Sequence, residues 1–206
     1  MKKLLLFVFA FSLLAVDSYS QSKSYIRPAA LGISFNLVDY TTAERIRNTS
    51  LTSVLNNKQA AEIREMSPGI SLSYFQGLTN HIDFAGSLLG AFAQVDLPNN
   101  NGTGDEFLFE ADASVNLKMF SDQYFFTPYL SAGVGFSSYN KQKGAFIPLG
   151  GGLKFNLFNE AAVYITTQYR VPLNTETGGY HFVHGIGISG ILGKKKSAAE
   201  VDTQLQ

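Results

Sequence analysis

The stretch EADASVNLKMF, residues 110–120, places polar and charged groups at every second position: Glu110, Asp112, Ser114, Asn116 and Lys118. Two carboxylates on one side of a strand are a spacing that could serve paired acid–base chemistry. The three histidines, His81, His181 and His184, are the other groups able to move protons. A hydrolytic site needs a hydroxyl nucleophile and an acid within hydrogen-bond reach of one such ring. By alternation His184 shares a side with Phe182 and Ile186, and the nearest acid in sequence is Glu176, in a loop. This reads as a polar residue at an interface, not as a base. The chain has no Cys, which excludes disulfides, thiol catalysis and cysteine metal sites.

Two other motifs carry no chemistry. Gly150-Gly151-Gly152 is followed by neither Lys-Ser nor Lys-Thr, so it is close packing or a bend, not a phosphate loop. DLPNNNGTGDE (residues 96–106) contains Asp96, Asp105 and Glu106 but lacks calcium-loop spacing, and it reads as a surface loop. No catalytic residue, metal ligand or cofactor is assigned, and the expectation is a protein that is not an enzyme.

The acids are therefore best understood through the elements that hold them. MKKLLLFVFAFSLLAVDSYS, residues 1–20, has a basic start, an apolar run and small residues before Gln21, the pattern of a secretory signal peptide. Its apolar run falls short of the roughly 20 residues that a spanning helix needs. No Cys follows it to carry a lipid anchor. Lys plus Arg and Asp plus Glu are equal at 16 each, so bulk charge does not point to nucleic acid. Residues 21–193 are one domain's worth, and 194–206 form a short tail.

Eight segments alternate with period two: roughly 29–38, 68–75, 82–94, 107–120, 126–137, 145–158, 161–171 and 181–193. Most have the ~9–11 residues of a tilted membrane strand. The connections run long, short, longer, short, intermediate, very short, longer. One parity is apolar throughout, as in Leu31, Ile33, Phe35 and Leu37, or Ile70, Leu72 and Tyr74. The other is rich in Gly and Ser and carries Asp83, Glu110, Asp112, Lys118, Lys154 and Arg170.

A soluble barrel would turn the charges outward, and a membrane barrel turns them inward. Small residues suit a cramped lumen. The near-balanced charges suit a lumen too, because an unpartnered buried charge costs several kcal/mol. Tyr40, Tyr74-Phe75, Phe107, Tyr124-Phe125-Phe126, Phe136, Phe158, Tyr180 and Phe182 gather at segment ends, as interfacial girdles do. A soluble lipocalin-like barrel would want a buried Trp, and the chain has no Trp. The expected fold is all-β: an eight-stranded antiparallel up-and-down transmembrane β-barrel, its lumen filled by an ion-pair network of those six residues.

The first loop, residues 39–67, is too long to be bare. TTAE at residues 41–44 reads as a capping box. Ile46, Leu51, Val54 and Leu55 follow at loosely helical spacing, Asn56-Asn57 break the pattern, and KQAAEIREM at 58–66 reads as a second short helix. Such a loop either covers the barrel mouth or offers a contact site for a partner.

The segments MSPGISLSYFQGLTNHIDFAG (66–86), FLFEADASVNLKMF (107–120), YLSAGVGFS (129–137) and HGIGISGILGKKK (184–196) resemble the small outer-membrane β-barrel family typified by the N-terminal domain of outer membrane protein A. The alternation of short and longer connections fits both termini periplasmic, and the resemblance implies a Gram-negative outer membrane and contact with outer-membrane lipid and lipopolysaccharide. It also implies insertion by the barrel assembly machinery, although the last strand lacks the terminal aromatic residue many such proteins present. KKKSAAEVDTQLQ is too short for the peptidoglycan-binding domain found in some relatives. The functions in view are envelope structure or surface display, a narrow pore, an adhesin acting through residues 39–67, and a lipid-modifying enzyme. Eight strands leave no room for a wide porin channel.

Overall fold

The computed structural model describes residues 25–93, 106–139, 142–157, 160–174 and 179–193. The expected signal peptide, most of the loop 96–106, Glu176, Phe158 and the tail lie outside these residues. The elements are β1 (Ala30–Asp39), α1 (Tyr40–Asn48), α2 (Leu51–Asn56), a 3-10 turn (Ile63–Glu65), β2 (Ser67–Gly77), β3 (Ile82–Ala93), β4 (Glu106–Lys118), β5 (Phe126–Tyr139), β6 (Gln142–Leu157), β7 (Ala161–Pro172) and β8 (His181–Ile191). All neighbouring strands pair antiparallel, and β1 pairs with β8, so the sheet closes into an eight-stranded barrel with no edge.

Alternation decides which side faces in. Along β1, Leu31, Ile33 and Phe35 are 43%, 54% and 52% exposed, while Ser34 and Asn36 are 4% and 3% exposed. The same holds around the wall: Ile70, Leu72, Leu88, Phe107, Leu117, Leu130, Val134, Leu149, Ile186 and Ile188 face outward. An apolar surface of this extent, wrapped round the whole wall, belongs in lipid and not in water. All six predicted lumen charges point inward.

The wall is thin where glycine sits. A Cβ at Gly150 would lie 2.2 Å from the Thr167 carbonyl oxygen and one at Gly152 2.3 Å from that of Ile165, so the glycine run is close strand packing, as expected.

Four features differ from the sequence reading. The fifth connection is not intermediate, because β5 runs to Tyr139 and β6 starts at Gln142. The cap of α1 is Asp39, whose carboxylate accepts from the Thr42 amide at 2.8 Å, and not Thr41. The strand delivers Asp39 to the helix start first, leaving Thr41 inside the helix. The break expected at Asn56-Asn57 is present, since α2 ends at Asn56, but the helical stretch carries a further break at Thr49-Ser50, where Ser50 caps α2 by accepting from Ser53 N. Residues 58–66 hold only the 3-10 turn, since Lys58 takes a positive φ of 52° that ends the helix.

Two aromatic residues expected in the girdles point elsewhere. Tyr40 packs on the apolar cluster inside the mouth. Phe75 faces the lumen, its ring edge-on to Tyr164 with centroids 5.3 Å apart.

Candidate functional site, the closed lumen

The lumen is lined in sequence from the end carrying the helices to the terminal end, where β1 starts and β8 finishes. At the helical end Val38, Leu89, Ala91, Ala93, Leu108, Tyr139 and Val183 form an apolar plug, with Tyr40 of α1 against it. These residues share the inward parity with the charges. The plug follows from alternation but is hidden by the polar tone of that face.

Beside the plug, with Glu110 opposite Leu89 in the β3–β4 register, lies the first charge cluster. Arg170 on β7 reaches across to β4, pairing Nη1 with Glu110 and placing Nη2 3.2 Å from Asp112 Oδ2. Its guanidinium also lies 4.9 Å over the Phe146 ring, and that ring covers Gly135, where a Cβ would come within 2.3 Å of it. His181 completes the cluster. Its Nε2 is 3.3 Å from the Glu110 carboxylate and its Nδ1 is 2.9 Å from the Gly179 carbonyl. Both ring nitrogens thus face oxygens. Tyr40 stacks 4.6 Å above the imidazole and ties the cluster to α1.

The middle layer is neutral and polar. Ser34 and Ser71 hydroxyls lie 2.6 Å apart, Asn36 Nδ2 donates to Ser71 at 3.0 Å, and Ser73 and Ser87 lie 2.6 Å apart. A cavity of about 40 Å³ remains among them, bounded also by Tyr129, Tyr164 and Gln168. That is space for a few waters and no more.

The second cluster closes the terminal end. Lys118 Nζ is 2.6 Å from Asp83 Oδ1 and 2.6 Å from Asp122 Oδ2. Lys154 Nζ is 2.9 Å from Asp83 Oδ2 and 2.6 Å from Asp122 Oδ1. Ammonium and carboxylate alternate round a ring, each carboxylate oxygen taking one contact. Burial pushes the Asp122 carboxyl up, but the ammonium groups of Lys154 and Lys118 outweigh it and hold the group below its ordinary range. Arg27, from the segment before β1, folds into the same mouth and donates from Nη1 to Asn156 Oδ1 at 2.6 Å. Its own carbonyl accepts from Gly77 N at 3.2 Å.

The six predicted residues therefore meet as two clusters and not as one network. Glu110 and Asp112 share Arg170. Lys118 and Lys154 pair with Asp83 and with Asp122. Three members were missed. His181 has the inward parity, but Asp122 sits in the β4–β5 turn and Arg27 precedes β1, so strand alternation reaches neither.

Glu176 lies outside the described residues, among which Asp39 comes near His184, with Nε2 to Oδ2 at 3.9 Å. The Thr167 hydroxyl lies 3.1 Å from His184 Nδ1. A hydroxyl, an imidazole and a carboxylate in line are the parts of an acyl-transfer relay. Asp39 caps α1 through Oδ1 and turns Oδ2 toward His184, while Thr167 sits in mid-strand with its backbone in the β6–β7–β8 ladders. Among the described residues no group of three or more His, Asp or Glu is placed to hold a metal ion.

No protein-family model and no curated protein matches the chain. Solved structures do. The Neisserial surface protein A superposes with a TM-score of 0.56 at 12% identity, over 82% of this chain and 99% of that one. The N-terminal β-barrel domain of Pseudomonas aeruginosa OprF superposes with a TM-score of 0.50 at 14% identity, over 81% and 98%. With its closed eight-strand wall, apolar outside and charged inside, the chain has the fold of the small outer-membrane β-barrels.

Proposed function

We propose that this protein is a non-enzymatic resident of the Gram-negative outer membrane, with both termini periplasmic and the helical loop at the cell surface. Its role is envelope structure and surface display, and its lumen does not conduct. The observation that carries this reading is the lumen itself: an apolar cluster with the charge cluster around Arg170 beside it, and a four-membered Lys–Asp ring at the other end, fill it. Opening such a lumen would mean separating several buried ion pairs. The orientation is supported by loop size, since the long connection carrying α1 and α2 suits the outer side. Outer-membrane lipid, including lipopolysaccharide, surrounds the wall in this reading, and the barrel assembly machinery inserts it. Outer-membrane fractionation with a heat-modifiability gel, joined to detergent sensitivity of a deletion strain, tests the proposal. A heat-shifted outer-membrane band and a sensitised strain are expected, whereas a soluble product would overturn the assignment.

One observation favours a second reading, contact with a partner through residues 39–67. Leu51, Leu55 and Ile63 are 55%, 64% and 73% exposed on the loop. Replacing all three with Ser and measuring surface attachment separates the two: lost attachment supports the adhesin, and unchanged attachment rejects it.

A further inference from the structure

We propose that Arg47 and the aromatic column below it on the lipid-facing side of β7 and β8 bind the phosphate-bearing headgroup of an outer-leaflet lipid. The inference rests on the membrane placement proposed above.

Arg47 stands apart from the other arginines of the loop. Arg45 pairs with Glu65 at 3.2 Å and Arg64 with Glu62 at 2.9 Å. Among the described residues Arg47 has no carboxylate within ion-pair range, and its guanidinium lies 4.0 Å over the Tyr180 ring. Stacking uses the flat face of the guanidinium and leaves its N–H edge free for the oxygens of an anion.

Below Tyr180 the column continues. Tyr169 stacks on Tyr180 with centroids 6.0 Å apart, packs on Phe182 at 4.7 Å, and Phe182 stacks on His184 at 5.8 Å. Tyr169 and Phe182 are paired across β7 and β8, as are Thr167 and His184, then Ile165 and Ile186. This is the outward parity, for Ile165 and Ile186 are 43% and 53% exposed. From the cell surface inward the strip reads cation, aromatic, hydroxyl with imidazole, aliphatic. A membrane lipid runs in the same order: phosphate, interfacial region, ester or amide carbonyl, acyl chain. Arg47 fits the phosphate, Thr167 and His184 fit the carbonyl, and Ile165 and Ile186 fit the chain. A soluble anion would use only the first of these, which is why the occupant is a lipid and not free phosphate.

The test uses the full chain, refolded and purified, with folding confirmed by heat-dependent gel mobility. Native mass spectrometry then reads retained lipid after exchange with phosphatidylglycerol, with phosphatidylcholine, or with inorganic phosphate present as competitor. Wild-type protein is expected to retain phosphatidylglycerol over phosphatidylcholine. Arg47→Gln is expected to lower that retention about fivefold, the order for one basic side chain at an anionic bilayer surface. Arg64→Gln, which removes an arginine already paired, is expected to leave it unchanged. Equal retention by wild type and Arg47→Gln, or equal loss in both variants, overturns the proposal. Displacement by equimolar inorganic phosphate overturns the choice of a lipid. A wild-type band that ignores heating would instead sink the barrel placement, so the two failures are distinguishable.

Discussion

Asp83 and Asp122 face each other at the terminal mouth of the lumen and share the same two lysines, Lys118 and Lys154, one per carboxylate oxygen. Asp122 is the one member of this ring that no strand supplies. Asp122→Asn leaves two buried ammonium groups over a single carboxylate. The expected loss is about 3–5 kcal/mol, the order for removing one partner of a buried pair. It is read as a lower urea midpoint of the heat-modifiable band. Adding Lys154→Met should recover part of it, because the charge count balances again.

The same carboxyl predicts an acid-dependent stability. The Asp122 group is held below its ordinary 3.8, so its contribution is fully present above that value and is lost as pH falls through the lower folded value. The urea midpoint should therefore retain the Asp122 contribution from neutral pH down to about 4 and lose it below. Asp122→Asn should flatten that acid limb. An equal acid slope in wild type and variant would assign the dependence to other carboxylates.

Gly135 lies under Phe146, and a Cβ there would meet the ring at 2.3 Å. Gly135→Val should push the ring off Arg170 and cost about 1–3 kcal/mol, the usual range for overpacking. Gly190→Ala is the matched control, since nothing lies within 4 Å of its added Cβ. The urea midpoints of the two variants should differ clearly, and equal midpoints would remove Phe146 from the account.

Asp39→Ala removes the α1 cap, with an expected local loss of about 1 kcal/mol. Hydrogen exchange at the Thr42 amide should accelerate while the barrel's β-strand amides stay protected. Uniform acceleration would show that Asp39 supports the wall and not just the helix.

Much of this was legible in the sequence because alternation is a strong signal where one face meets lipid and the other a polar lumen. Leu31-Gly32-Ile33-Ser34-Phe35-Asn36 leaves a single register that buries its polar side. The layering inside was less legible. Pairing across a lumen depends on depth as well as parity, and the sequence does not show that Lys154 reaches Asp83 while Arg170 reaches Glu110. Arg27 and Asp122 enter from outside the strands. The loop was legible as helical and in its break at Asn56-Asn57, but not in the cap of α1 or the break at Ser50, because the strand end delivers Asp39 ahead of Thr41 and Ser50 starts a second helix.

Planar-bilayer recording tests the closed lumen most directly. Wild-type protein inserted as a folded, heat-modifiable barrel should show no steady open level at either polarity. A steady ohmic conductance in the wild type, rising further when Glu110 or Arg170 is neutralised, would contradict it.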